Sequence, residues 1–403
     1  MLKYLLIAVI LSAGACRGAV TRAQEASRDT TGPVVVGAAR MDQYLPLLEN
    51  KRIGILTNQT AVIGNTHVVD SLLKRHIRIV KIFGPEHGFR GDADAGADVS
   101  STVDKKTGIP VISLYGAHNK PTAEELADVD VMVYDIQDVG ARFYTYINSM
   151  QRFMEAAAEN HKPFIILDRP DPNGFYVDGP ILEKEYHSGV GAQPVPIAYG
   201  MTIGEYARML VGEHWLSDSG ATPDLTVIPC LNYTHDSLYQ LPVRPSPNLP
   251  NMASVYLYPA LCLFEGTACS VGRGTDHPFQ LFGHPSLPAN LYSFTPRAMP
   301  GATQPKLKGQ VCHGVLVATT GAEALREMDG KIPLKWLLKA YAAFPDKAHF
   351  FTSYFPKLAG TAALEKQIRE GWSEAQIRES WQPGLQHFKQ IRSKYLLYPD
   401  FSH

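Results

Sequence analysis

The 403-residue sequence has five cysteines and no Cys-x-x-Cys pair, which removes zinc-ribbon and thioredoxin-like redox readings. Cys230, Cys262, Cys269 and Cys312 are read as buried thiols, with one disulfide as the alternative. An excess of one charge is missing as well. With 38 Lys and Arg against 39 Asp and Glu, no net field would gather nucleic acid, so a neutral or mildly charged substrate is expected. There is no Gly-x-Ser-x-Gly elbow, no His-Glu-x-x-His and no Walker loop, and serine-hydrolase, zincin and P-loop chemistry drop out. Gly272-Arg273-Gly274 lacks the third glycine of a dinucleotide fingerprint, and Asp92, Asp94 and Asp98 miss the EF-hand register. Neither cofactor nor metal is expected.

Apolar runs long enough to cross a bilayer are absent too. The run at residues 5–11 follows a basic start and precedes small residues, Ser12-Ala13-Gly14-Ala15-Cys16. That is the pattern of an export signal, so residues 1–23 are set aside as signal and the start of a tether. The expected location is the periplasm, or a bacterial membrane through a lipid on Cys16. Ala13 stands where a lipoprotein signal usually has Leu, so cleavage after Ala15 is the alternative.

What is present is a globular composition: 45% of residues are hydrophobic, sufficient for two domains with cores. Short Val- and Ile-rich runs at 52–57, 77–83, 111–115, 129–135 and 163–168 alternate with helical candidates at 67–75, 122–127 and 145–160. This order predicts an α/β fold with a Rossmann-like amino-terminal domain and a parallel sheet over 34–235. A helix from Thr202 to Trp215 and a strand at 225–228 complete it. Prolines crowd Leu241-Pro242-Val243-Arg244-Pro245-Ser246-Pro247-Asn248-Leu249-Pro250. Beyond them a smaller α+β domain is expected over 240–403, with a strand at 314–318 and helices at 333–344, 362–370 and 373–388.

Parallel sheets offer ligands the loops at the carboxyl ends of their strands. Those loops carry Asn58, the Glu86-His87 pair, the stretch from Asp135 through Arg142 to Tyr144, and Asp168 with Asp171. Asn58, Asp168 and Asp171 could equally be turn or cap residues, and Asp138 suits a supporting role. Glu86-His87 sits between Pro85 and Gly88 where no helix end needs it, which favours function. In the second domain Glu265, Arg273 and Asp276 share a small-residue loop; a salt bridge from Arg273 to either acid is the plain alternative. Two carboxylates are the minimum equipment for glycosidic hydrolysis, one to protonate the leaving oxygen and one to activate water or attack the sugar. Glu86 and Glu265 could form that pair. With an N-acetyl sugar, Asp135 or Asp276 could instead steady an attacking acetamide.

Taken in order, Gly54-Ile55-Leu56-Thr57-Asn58-Gln59-Thr60, the Gly84-to-Gly91 loop, the Asp135-to-Tyr146 run, Pro245-Ser246-Pro247-Asn248-Leu249-Pro250 and the block from Glu265 to Phe279 resemble the bacterial exo-β-N-acetylmuramidase family, formerly a domain of unknown function. The resemblance implies an active site in the cleft between the two domains. It also implies release of terminal β-1,4-linked N-acetylmuramic acid from the non-reducing end of peptidoglycan fragments, without cofactor. Glu86 and Glu265 fall on the family's Pro-Glu-His-Gly and Glu-Gly-Thr motifs as the catalytic pair. His87, Asp135, Arg142, Arg273 and Asp276 fall in matching motifs and would line the sugar site, joined by Asn58 and Tyr144. An arginine fork suits the lactyl carboxylate of muramic acid. The alternatives are a peptidoglycan-directed amidase or esterase using Glu86-His87, and a non-catalytic muropeptide-binding protein.

Overall fold

The computed structural model describes residues 32–86, 88–89, 102–216 and 220–402. The segment 1–23, His87 and the aspartates at 92, 94 and 98 lie outside these residues. The strands in chain order are β1 (Arg52–Thr57), β2 (Val62–Ile63), β3 (Thr66–His67), β4 (Arg78–Gly84), β5 (Thr102–Val103), β6 (Pro110–Ser113), β7 (Val131–Asp135), β8 (Phe164–Leu167), β9 (Leu225–Ile228), β10 (Leu281–His284), β11 (Tyr292–Phe294) and β12 (Cys312–Leu316).

Seven of them form the main sheet in the order β5-β6-β4-β1-β7-β8-β9. Every pairing is parallel except β5 with β6. Without the antiparallel edge strand, the six parallel strands run third-second-first-fourth-fifth-sixth in chain order, the doubly wound arrangement of dinucleotide-binding folds. The central strands are apolar on both faces because helices cover both, and β7 is buried at every residue. The second sheet is antiparallel, β10-β12-β11.

Ten α-helices are found among the described residues: α1 (Met41–Leu48), α2 (Val68–Leu73), α3 (Tyr146–Glu159), α4 (Ile203–Gly212), α5 (Met252–Leu261), α6 (Gly321–Met328), α7 (Lys335–Ala343), α8 (Phe355–Ala359), α9 (Ala363–Arg369) and α10 (Glu374–Arg392). Thr202 opens α4 with a reciprocal cap to Glu205, and Ser373 opens α10 in the same way with Gln376. The expected helix at 122–127 forms only turns, whose bonds mix Leu126 to Thr122 with Ala127 to Glu124. Six residues do not sustain a helix without a packed face.

The sequence pattern predicts no helix at α5, and the cause is burial. All ten of its residues are buried, so it has no polar stripe to announce a 3.6-residue period. It starts at Asn251, whose side chain accepts from the Ser254 amide. A single apolar core joins Phe153 and Phe164 of the sheet region to Leu257, Phe264, Phe355 and Phe388 of the second region. The chain end then turns back: Leu397 donates its amide to Glu205, and the Tyr398 hydroxyl donates to Asp168 under the main sheet. Cys230, Cys262, Cys269 and Cys312 are free and buried.

Candidate active site

A cavity of about 970 Å³ opens beyond the carboxyl ends of β4 and β6. One wall comes from the sheet region: Glu86, Tyr115, Thr145 and Arg152. The second region lines the cavity with Tyr258, Glu265, Arg273, Lys306 and Tyr354.

Glu86 is placed by the turn that follows β4, where the Gly88 amide donates to the Pro85 carbonyl. Gly88 has φ +74°, the left-handed region that suits glycine. The Glu86 carboxylate accepts from the Tyr115 hydroxyl at 3.2 Å through Oε1 and from the Thr145 hydroxyl at 3.1 Å through Oε2. The Tyr146 hydroxyl reaches its backbone carbonyl at 3.4 Å. Burial, reinforced by the negative charge of Glu86, pushes the Tyr146 phenol up, so it acts as a fixed donor.

Glu265 lies on the short 3₁₀ turn Cys262–Gly266 that prolongs α5. A Cβ on Gly266 would stand 2.5 Å from the Phe355 backbone, so only glycine lets α8 close over this turn. Glu265 Oε1 accepts from Arg273 Nε at 2.7 Å and Oε2 from Arg273 Nη2 at 3.3 Å. The Arg273 guanidinium also lies 4.8 Å from the Phe279 ring centroid, a cation–π contact. Burial opposes the Arg273 charge, but Glu265 outweighs it and pushes the guanidinium up. Lys306 Nζ donates to the carbonyls of Glu265 and Thr267 at 3.1 and 2.7 Å. Burial pulls this ammonium down against the attraction of Glu265.

Three of the expected site residues therefore meet: Glu86, Glu265 and Arg273. Tyr144 joins them in a recess of about 60 Å³ that Glu86 and Arg273 also line. Its hydroxyl is committed to the Pro245 carbonyl at 2.8 Å, which leaves the ring as its contribution.

The other named residues among those described are not brought to the cavity. Asn58 is fully buried, and its side-chain Oδ1 accepts from the Thr60 amide and hydroxyl to close a turn. Asp135 is shut from solvent against Arg169, whose Nη2 donates to it at 3.0 Å. Arg142 is also fully buried and spends Nη1 and Nη2 on the carbonyls of Pro180, Val195, Leu358 and Ala359. Asp276 is solvent-exposed, pairs with Arg297 and does not line the cavity. Asp138 accepts from the Gly140 amide and the Tyr199 hydroxyl, a supporting role.

Common to Asn58 and Asp135 is the gap between β1 and β7, where the strand order reverses and such sheets usually bind ligands. Here that gap is filled by protein, with the Gln137 amide donating to Thr60 and Arg169 reaching the Val62 carbonyl. The cavity lies two strands away. Four of its residues, Thr145, Asn148, Ser149 and Arg152, are spaced i, i+3, i+4, i+7 at the start and along one face of α3. That stripe was readable once 145–160 had been recognised as helical.

Residues 53–253 match the family description "Exo-beta-N-acetylmuramidase NamZ, N-terminal", and residues 256–398 match its C-terminal counterpart. The chain is 41% identical over 379 residues to the peptidoglycan beta-N-acetylmuramidase NamZ of Bacillus subtilis (strain 168), covering 89% of each protein. Two crystal structures of DUF1343 family proteins from Bacteroides fragilis NCTC 9343 are similar. One is 47% identical with a TM-score of 0.85, covering 92% of this chain and 100% of that one. The other is 30% identical with a TM-score of 0.74, covering 91% and 99%. With its glutamate pair, its doubly wound sheet and both halves of one family description in place, the chain belongs to the exo-β-N-acetylmuramidase NamZ family.

Proposed function

We propose that this chain hydrolyses the glycosidic bond of terminal β-1,4-linked N-acetylmuramic acid at the non-reducing end of peptidoglycan fragments. The observation that carries this reading is that Glu86 and Glu265 line one cavity in a chain 41% identical to a peptidoglycan β-N-acetylmuramidase. The surroundings of the two carboxyls suggest a division of labour. Glu86, which accepts from the Tyr115 and Thr145 hydroxyls, is the group to pass a proton to the leaving glycosidic oxygen as its bond to C1 breaks. Glu265 is held by a guanidinium and supplies the negative charge that faces the cationic sugar carbon. Water completes the reaction at C1, giving the free sugar and the shortened fragment.

The test is release of nitrophenol from 4-nitrophenyl β-N-acetylmuramide beside the glucosaminide analogue. Turnover of the muramide, lost in Glu86→Gln and in Glu265→Gln, supports the reading; no turnover of either substrate by the wild type overturns it. Export belongs to the same proposal. It is supported by the basic start, the apolar run at 5–11 and the small residues before Cys16, and recovery of the activity only from the cytosol would count against it.

A further inference from the structure

An enzyme that separates muramic acid from its glucosamine counterpart must read the 3-O-lactyl group, whose carboxylate is the one charge that distinguishes them. The arginines first expected to do so are occupied. Arg142 is buried among four carbonyls, and Arg273 is paired to Glu265. Three cations line the cavity among the described residues: Arg273, Lys306 and Arg152. Lys306 is tied to two backbone carbonyls. Arg152 is half-buried, and among the described residues it has neither an ion-pair nor a hydrogen-bond partner.

We propose that Arg152 binds the lactyl carboxylate and is the residue that makes the site select muramic acid; this rests on the glycosidase reading above. Its position on α3 supports the assignment. Thr145, at the start of that helix, hydrogen-bonds Glu86, and Arg152 lies seven residues along the same face. Seven residues advance the helix about 10 Å, the scale of one pyranose ring with its lactyl arm. A sugar with its glycosidic oxygen at Glu86 thus extends its 3-O substituent along the helix toward Arg152. Asn148 lines the cavity between the two ends, but its Nδ2 already donates to the Gly189 carbonyl. That leaves the Arg152 guanidinium, with five donors in a planar fork, as the group matched to a carboxylate.

The experiment compares three nitrophenyl β-muramides: the free lactyl acid, its primary amide, and the acid extended by one alanine. Wild type, Arg152→Met and Arg152→Lys are assayed, with thermal melting as the check on folding. A charge-assisted hydrogen-bonded pair corresponds to roughly a ten- to hundredfold effect. The acid-over-amide ratio of kcat/KM is expected to fall by about that factor in Arg152→Met and to recover in part in Arg152→Lys. An unchanged ratio, whether both rates fall together or neither falls, overturns the assignment while leaving the glycosidase reading intact. A loss confined to the alanine-extended substrate assigns Arg152 to a peptide carboxylate and also overturns it. No turnover of any of the three by wild type overturns both readings together.

Discussion

Arg273 holds Glu265 by two nitrogens, Nε at 2.7 Å and Nη2 at 3.3 Å, and rests its guanidinium on the Phe279 ring. One face of the arginine is thereby fixed by an aromatic side chain while its edge fixes the carboxylate. Lysine could supply the charge but not the two-point geometry.

Replacing this arginine should therefore affect catalysis more than folding. Arg273→Met is expected to lower kcat on the nitrophenyl muramide by roughly ten- to hundredfold, the scale of a lost charge-assisted hydrogen bond. Arg273→Lys should fall between it and wild type. Because the pair is partly open to solvent, the melting temperature should move little. A large drop in melting temperature with unchanged kcat would mean that the pair is structural.

The division of labour between the glutamates predicts a leaving-group signature. A nitrophenolate leaves readily without a proton, whereas a sugar alkoxide does not. Glu86→Gln should thus cost roughly 10²- to 10⁴-fold on a natural disaccharide fragment and distinctly less on the nitrophenyl glycoside. Glu265→Gln should depress both alike. Equal losses on both substrates in Glu86→Gln would remove it as the proton donor.

Asp135→Asn and Arg142→Met are predicted to act on stability. The first leaves Arg169 charged and unpaired inside the sheet end, which costs about 3–5 kcal/mol for a broken buried pair. The second removes a donor from each of four buried carbonyls and opens a cavity beside Gly360, whose missing Cβ makes room for the Arg142 guanidinium. Denaturant midpoints measure both. Wild-type midpoints combined with lost activity would return these residues to the active site.

A pH dependence follows from Asp138. Burial pushes its carboxyl up to about 6, against the hydrogen bonds from Tyr199 and Gly140. Between the unfolded value near 4 and this folded value, the native state binds the extra proton. This group's contribution to stability is therefore fully present below about pH 4, is lost as pH rises through about 6, and then levels off. Asp138→Asn mimics the protonated form, so its stability relative to wild type should improve from pH 4 to 6, by an amount on the order of 3 kcal/mol. A pH-independent difference would show that Asp138 is not the titrating group.

The doubly wound sheet was legible because its strands are unbroken apolar runs separated by amphipathic stretches, and β1, β7 and β8 fall where those runs lie. Glu86 and Glu265 stand out in the sequence as carboxylates in short glycine-flanked turns, and both line the cavity. Asn58 and Asp135 lie away from the cavity for one shared reason. Sequence position puts a side chain at a strand end but does not say whether the space beyond is open, and here Arg169, Thr60 and Gln137 fill it. Arg152 was overlooked because it belongs to a helix rather than to a loop motif. Its signal was the polar stripe on α3.

The return of the chain end to the main sheet has a consequence for how the molecule can be divided. The two family descriptions meet near residue 254, which invites expression of the halves as separate proteins. Yet Leu397 and Tyr398, the far end of the second half, satisfy Glu205 and Asp168 in the first, and the apolar core crosses between them. A chain cut at that point would leave Glu205 without the Leu397 amide, Asp168 without the Tyr398 hydroxyl, and both fragments with an uncovered apolar face. Such fragments should gain their structure, and any activity, only when mixed, as partners in a complementation pair rather than as independent modules.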